Sequence, residues 1–162
     1  MHHPPETYSK NIYNPYHAEV YCGKYCSLAY GLRVVIATHP SITHNSVSNY
    51  PFREKCKLRY PRCKTGGVIN IGNDVWIGEN VTLYGEINIS DGAIIGGSSV
   101  VAKDVPPYAI VAGNPAKILR YRFNPDQIKR LLKLKWWDWP KEKIYTSIAE
   151  MLDINSFLDK YE

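Results

Sequence analysis

From residue 71 onward, aliphatic residues return at every sixth position. The chain there divides into IGNDVW, IGENVT, LYGEIN, ISDGAI, IGGSSV and VAKDVP. The first positions, Ile71, Ile77, Leu83, Ile89, Ile95 and Val101, are all aliphatic. The fifth positions, Val75, Val81, Ile87, Ala93, Ser99 and Val105, are all small or β-branched. Glycine often stands second, at Gly72, Gly78 and Gly96. An α-helix turns about 100° per residue, so a six-residue step would carry the aliphatic positions around its surface. A hairpin sheet alternates every second residue, and this pattern does not. A three-sided coil fits, with each unit a short strand plus a turn and three units closing one circuit. The first residue points inward, the fifth sits near a corner, and glycine relieves the turn. Stacked circuits then bury one continuous column.

The same phase appears earlier. Cys22, Leu28 and Val34 take first positions, and Cys26, Leu32 and Thr38 take fifth positions. Cys22 and Cys26 therefore point into the column as small apolar residues rather than as metal ligands or a disulfide. Cys56 and Cys63 likewise lack C-x-x-C spacing. Val34 and Ile71 are 37 positions apart, one more than a multiple of six, so the chain leaves the coil and returns. This excursion, residues 39–70, is polar and carries Tyr50-Pro51-Phe52 and Tyr60-Pro61, which favour packing over disorder.

The repeat ends at Pro106-Pro107. A strand over YAIVAG follows. Asn124, Pro125 and Gln127 then have the spacing of a helix N-cap, a proline at the first helical position and a capping box. Ile128, Leu131, Leu132 and Lys135 continue at helical spacing. Trp136, Trp137 and Trp139 form a hydrophobic plug against the coil. Pro140 opens a second short helix through Ile144, Ile148 and Leu152. Three regions result: an N-terminal segment (1–19), the coil with its excursion (20–118), and a helical appendage (119–162).

Composition narrows the function. The 162 residues include 13 Tyr and 4 Trp against 3 Phe, a bias toward half-wet clefts and subunit contacts. A net charge of +5 suits a small anionic ligand and has no basic run suggesting nucleic acid. No apolar stretch reaches the roughly 18 residues of a membrane span. The N-terminus lacks the apolar core of a signal peptide, so the expected location is the cytoplasm.

Several stretches together resemble the hexapeptide-repeat acyltransferases: GKYCSLAYGLRVVIATHP (23–40), YPF (50–52), IGNDVWIGENV (71–81), DGAIIGGSSVVAKDVPPYAIVAGNPAK (91–117) and LLKLKWWDWP (131–140). YPF and WWDW narrow the resemblance to the xenobiotic acetyltransferase branch. That branch includes streptogramin and chloramphenicol acetyltransferases and relatives acting on capsule or lipopolysaccharide sugars. The resemblance implies a mainly β fold, a left-handed parallel β-helix, assembled as a homotrimer with clefts between subunits. It implies acetyl-CoA as co-substrate, with no metal. The implied acceptor is a sugar or saccharide hydroxyl, with a drug-like alcohol as the alternative and a silent trimeric scaffold as a different class.

His39 follows a coil strand directly before Pro40, where such enzymes carry a general base. An imidazole within about 3 Å of an acceptor hydroxyl takes its proton during attack on the thioester, worth roughly 10²–10⁴ in rate. His44, Tyr50 and Trp76 are candidates for the acceptor pocket. By resemblance, Gly97, Ala102 and Ala112 contact CoA, while Lys117 and Arg120 meet its phosphates. The five-residue spacing of His39 and His44 also matches two zinc ligands of γ-class carbonic anhydrases, which share the fold. A catalytic zinc needs three protein ligands, and no third histidine falls in register.

Overall fold

A computed structural model describes residues 6–9, 12–15, 17–36, 47–48, 50, 52–57 and 67–161. In it the six-residue period becomes three parallel sheets visited in rotation. A short strand β1 (Tyr8–Ser9) comes first. The first complete circuit is β2 (Glu19–Cys22), β3 (Ser27–Leu28) and β4 (Arg33–Val35). The second is β5 (Val68–Ile71), β6 (Trp76–Ile77) and β7 (Thr82–Tyr84). The third is β8 (Ile87–Ile89), β9 (Ile94–Ile95) and β10 (Val100–Val101). Corresponding strands stack in register, giving inward ladders Cys22–Ile71–Ile89 and Val34–Leu83–Val101. A third ladder runs Leu28–Ile77–Ile95–Val111.

Every first and fifth position from Ile71 to Val105 is at most 4% exposed. Cys22 and Cys26 belong to the same buried column and carry free thiols. Each fully buried Leu or Ile contributes roughly 1.5–3 kcal/mol, whereas an exposed ion pair contributes about 0–1. The column, not the charged surface, therefore holds the stack together. Ahead of residue 20, β1 pairs with β3 and Tyr13 bridges Arg33, so the N-terminal segment adds strands of its own to the stack.

The second-position glycines have a different cause from the one the repeat suggests. The left-handed turn residues are in fourth place: Asp74 (φ 55), Asn80 (φ 57), Gly92 (φ 69) and Ser98 (φ 58). Gly72 and Gly78 are instead required by crowding between circuits. A Cβ on Gly78 would stand 2.6 Å from the Gly97 nitrogen, and one on Gly72 would stand 2.6 Å from Asp91 Oδ1.

Of the excursion's described residues, those of α1 (Phe52–Lys55) form a short helix, and residues 68–70 already belong to β5 of the coil. After the third circuit, Val105 bridges Ile89 and β11 (Ala109–Gly113) pairs with β9. The antiparallel partner β12 (Ala116–Tyr121) then covers β11. Helix α2 (Pro125–Leu134) has the expected capping box between Asn124 and Gln127. Lys135 ends it in the left-handed region (φ 45) rather than extending it.

Trp137 is buried, in a 3₁₀ turn (Trp136–Asp138). The second helix departs from expectation. It is split into α3 (Lys141–Thr146) and α4 (Ile148–Met151), and a further helix α5 (Ile154–Tyr161) follows. Thr146 and Ser147 hydroxyls donate to carbonyls of the preceding turn, Ser147 Oγ to Lys143 O at 2.6 Å, and this competes with helix continuation. Leu152 follows the end of α4, lies outside any helix and is 86% exposed. None of the helices among the described residues is long and apolar enough to cross a membrane.

Candidate active site

The last complete circuit and the β11–β12 hairpin bring several of the expected donor-side residues together. Gly97 is exposed at the turn between β9 and β10. Its neighbour Gly96 packs so closely on Ala112 that a Cβ there would stand 2.9 Å from the Ala112 Cβ. Ala112 is in turn opposite Lys117 in the hairpin, and Ile110 is opposite Arg120. Both basic side chains are exposed, and Arg120 Nη1 donates to the Tyr121 carbonyl at 3.3 Å. Ala102 is not part of this cluster. It follows β10 at the other end of that strand, so Gly97 and Ala102 bracket β10. β10 is an edge of its three-stranded sheet, with one side of its backbone unpaired by any described strand.

Ser99 organises this corner, a role the sequence reading did not assign. It is wholly buried, its Oγ donates to the Gly96 carbonyl at 2.6 Å, and it accepts from Gly113 N–H at 3.1 Å. The one hydroxyl among the fifth positions from Val75 to Val105 was the available signal. A polar group at that depth needs partners, and the bond from Gly113 ties the third circuit to the hairpin.

Trp76 is 49% exposed on β6, between Ser27 and Ile94 of the adjacent circuits. Tyr50 is 53% exposed and packs edge-on against Phe52, with ring centroids 4.8 Å apart. His39 and His44 lie outside the described residues. Among the described residues, no group of three or more His, Cys, Asp or Glu side chains is placed to hold a metal.

A second polar centre joins the coil to the helices. Arg122 Nη1 donates to Asp74 Oδ2 and to the Gly92 carbonyl, both at 2.8 Å. Burial pushes the Asp74 carboxyl above its ordinary range, and the Arg122 charge opposes the shift. Burial likewise pushes the Tyr108 phenol up, with the Asp74 charge adding to it. The Tyr108 hydroxyl is buried without a hydrogen-bond partner.

Comparison with known proteins decides the family. A probable macrolide acetyltransferase of Lysinibacillus sphaericus is 38% identical across 97% of this chain and 93% of its own length. The chain belongs to the hexapeptide-repeat acetyltransferases, in their xenobiotic branch. A chloramphenicol acetyltransferase of Morganella morganii is 37% identical across 86% of the chain and 69% of its own length. Among solved structures, a hexapeptide-repeat acetyltransferase from Vibrio cholerae is similar with a TM-score of 0.52 and 28% identity. That match covers 70% of this chain and 57% of the other. A polysialic acid O-acetyltransferase is similar with a TM-score of 0.51 and 29% identity, over 69% of this chain and 48% of its own. No family model matches the chain. As a member of this family the protein is a CoA-dependent acetyltransferase, and acetyl-CoA is its co-substrate.

Proposed function

We propose that this acetyltransferase moves the acetyl group of acetyl-CoA to a hydroxyl of a drug-like alcohol, a macrolide or chloramphenicol type of acceptor. The observation that carries this reading is the 38% identity with a probable macrolide acetyltransferase over nearly the whole of both chains. A second reading, a sugar or saccharide hydroxyl, is favoured by the likeness to the polysialic acid O-acetyltransferase.

In either reading His39 is the general base. It takes the acceptor hydroxyl proton as that oxygen attacks the thioester carbonyl. The tetrahedral oxyanion forms against backbone N–H donors. It collapses with cleavage of the C–S bond, leaving an acetyl ester, and the CoA thiolate accepts the proton. Transfer takes place in a ternary complex, without an acetylated enzyme.

The pantetheine arm lies along the unpaired edge of β10, whose free backbone groups suit its two amides. Gly97, Ala102 and Ala112 give it room, and Lys117 and Arg120 meet the phosphates. His44, Tyr50 and Trp76 line the acceptor side. The stack winds left-handed, with residues 20–118 as its body, 1–19 as its N-terminal segment and 119–162 as its helical appendage. The working unit is a cytoplasmic homotrimer, in which a neighbouring subunit closes each cleft.

An acceptor panel tests the reading. Acetyl-CoA consumption, followed by free thiol release, is measured with chloramphenicol, a macrolide, a streptogramin and a set of saccharides. Drug-dependent release well above saccharide-dependent release is the expected result. Release only with saccharides selects the second reading, and none with any acceptor rejects both.

A further inference from the structure

A cavity of about 490 Å³ opens between the corner of the coil that carries Asp74 and Tyr108 and the C-terminal helices. None of the residues assigned above to the donor or the acceptor lines it. Its lining is about as polar as it is apolar, with the apolar part built largely by Trp136, Phe157, Leu131 and Met151. Leu152 lines it too, yet is 86% exposed, an unusual cost for a large aliphatic side chain beside a hollow of ligand size.

Three charged groups line the cavity: Asp74, Arg122 and Asp153. Asp74 and Arg122 neutralise one another at 2.8 Å. Arg122 is further committed to the Gly92 carbonyl and stacks over the Tyr108 and Phe123 rings, at 5.3 and 5.2 Å. The charge left over is that of Asp153. It is exposed, and it caps α5 by accepting from Ser156 N–H at 2.8 Å through Oδ1. Hydrogen bonds from the Ser156 backbone and side chain hold its carboxyl below the usual range, which favours the charged form. A hollow with aromatic rings on part of its wall and one surplus negative charge selects an amphipathic cation and disfavours an anion such as CoA.

We propose that this cavity binds a hydrophobic amine, its apolar body against Trp136, Phe157 and Met151 and its ammonium beside Asp153. The adjoining helices already use the same physics internally: Lys143 Nζ sits 3.6 Å from the centroid of Trp139. The site is independent of the acyl-transfer reading and stands or falls separately from it.

Calorimetric titration of the full chain with three probes of one shape tests this: 4-phenylbutylamine, 4-phenylbutan-1-ol and 4-phenylbutyrate. The amine is expected to bind at least tenfold more tightly than the alcohol or the acid. Asp153→Asn keeps a good capping residue and should lower the amine's affinity to that of the alcohol. Met151→Trp, which fills the hollow, should abolish binding of both. Equal or tighter binding of the acid overturns the proposal. So does amine binding that survives Met151→Trp, amine affinity unchanged in Asp153→Asn, or no binding of the amine at all.

Discussion

Arg122, just beyond the end of β12, reaches back to Asp74 at a corner of the second circuit, its Nη1 lying 2.8 Å from Oδ2. The same nitrogen donates to the Gly92 carbonyl one circuit further on. One side chain thus pins two stacked corners to the start of the helical appendage. Lys24–Asp138 at 2.9 Å and Lys141–Glu6 at 3.2 Å tie the first circuit and the N-terminal segment to the helical appendage, and each includes a well-exposed lysine, so they contribute less.

Removing Arg122 strands a largely buried carboxylate. Arg122→Ala is expected to lower unfolding stability by about 2–3 kcal/mol, read from urea denaturation at neutral pH. Arg122→Lys should recover only part of the loss, because an ammonium cannot reproduce the guanidinium's stacking on Tyr108 and Phe123.

Asp74 also gives the protein a pH signature. Its folded carboxyl titrates above the unfolded value because burial outweighs the Arg122 charge. The folded state therefore binds this proton more tightly. The group's contribution is fully favourable below the ordinary carboxylate range and is lost as pH rises through the raised value. Asp74→Asn removes that dependence. The stability of the native protein minus that of the variant should fall as pH rises across this window, measured by thermal unfolding at a series of pH values.

Ser99 bonds Gly96 within the third circuit and Gly113 of the hairpin, and the second of these bonds joins the two. Ser99→Ala leaves the Gly96 carbonyl and the Gly113 N–H short of a partner, at a cost of about 1–3 kcal/mol. On the proposed donor site, the KM for acetyl-CoA should rise in the same variant, because the hairpin carries Ala112, Lys117 and Arg120.

Two glycines separate crowding from backbone conformation. At Gly78 a Cβ meets the backbone of Gly97 at 2.6 Å, whereas at Gly85 nothing lies within 4 Å but φ is +84°. Gly78→Ala should cost more than Gly85→Ala, roughly 2–3 against about 1 kcal/mol in thermal unfolding. Gly85→Asn should be nearly neutral.

The column was readable because the spacing of Ile71, Ile77, Leu83 and their successors follows from local geometry: a short strand, then a corner, repeated. Asn124 and Gln127 were readable for the same reason, since a capping box spans four residues. The Asp74–Arg122 pair was not, because its members are 48 positions apart and only stacking brings them together. The break at Ser147 was hidden by the spacing of Ile144, Ile148 and Leu152, which continues smoothly while hydroxyls at 146 and 147 redirect the backbone. Of the expected site, Ala112 and Lys117 face one another through the hairpin's register, Gly97 follows the Gly96 that packs on Ala112, and Ala102 stands at the far end of β10. His39 and His44 fall outside the described residues, so the chemistry rests on their place in the sequence.

The central claim is that one imidazole activates the acceptor. Its most direct test is single-turnover acetyl transfer by His39→Ala at saturating acetyl-CoA, using the best acceptor from the panel. The expected result is a rate at least about 100-fold below that of the native enzyme, with CoA affinity and thermal stability unchanged. A rate within a few-fold of native would contradict the account.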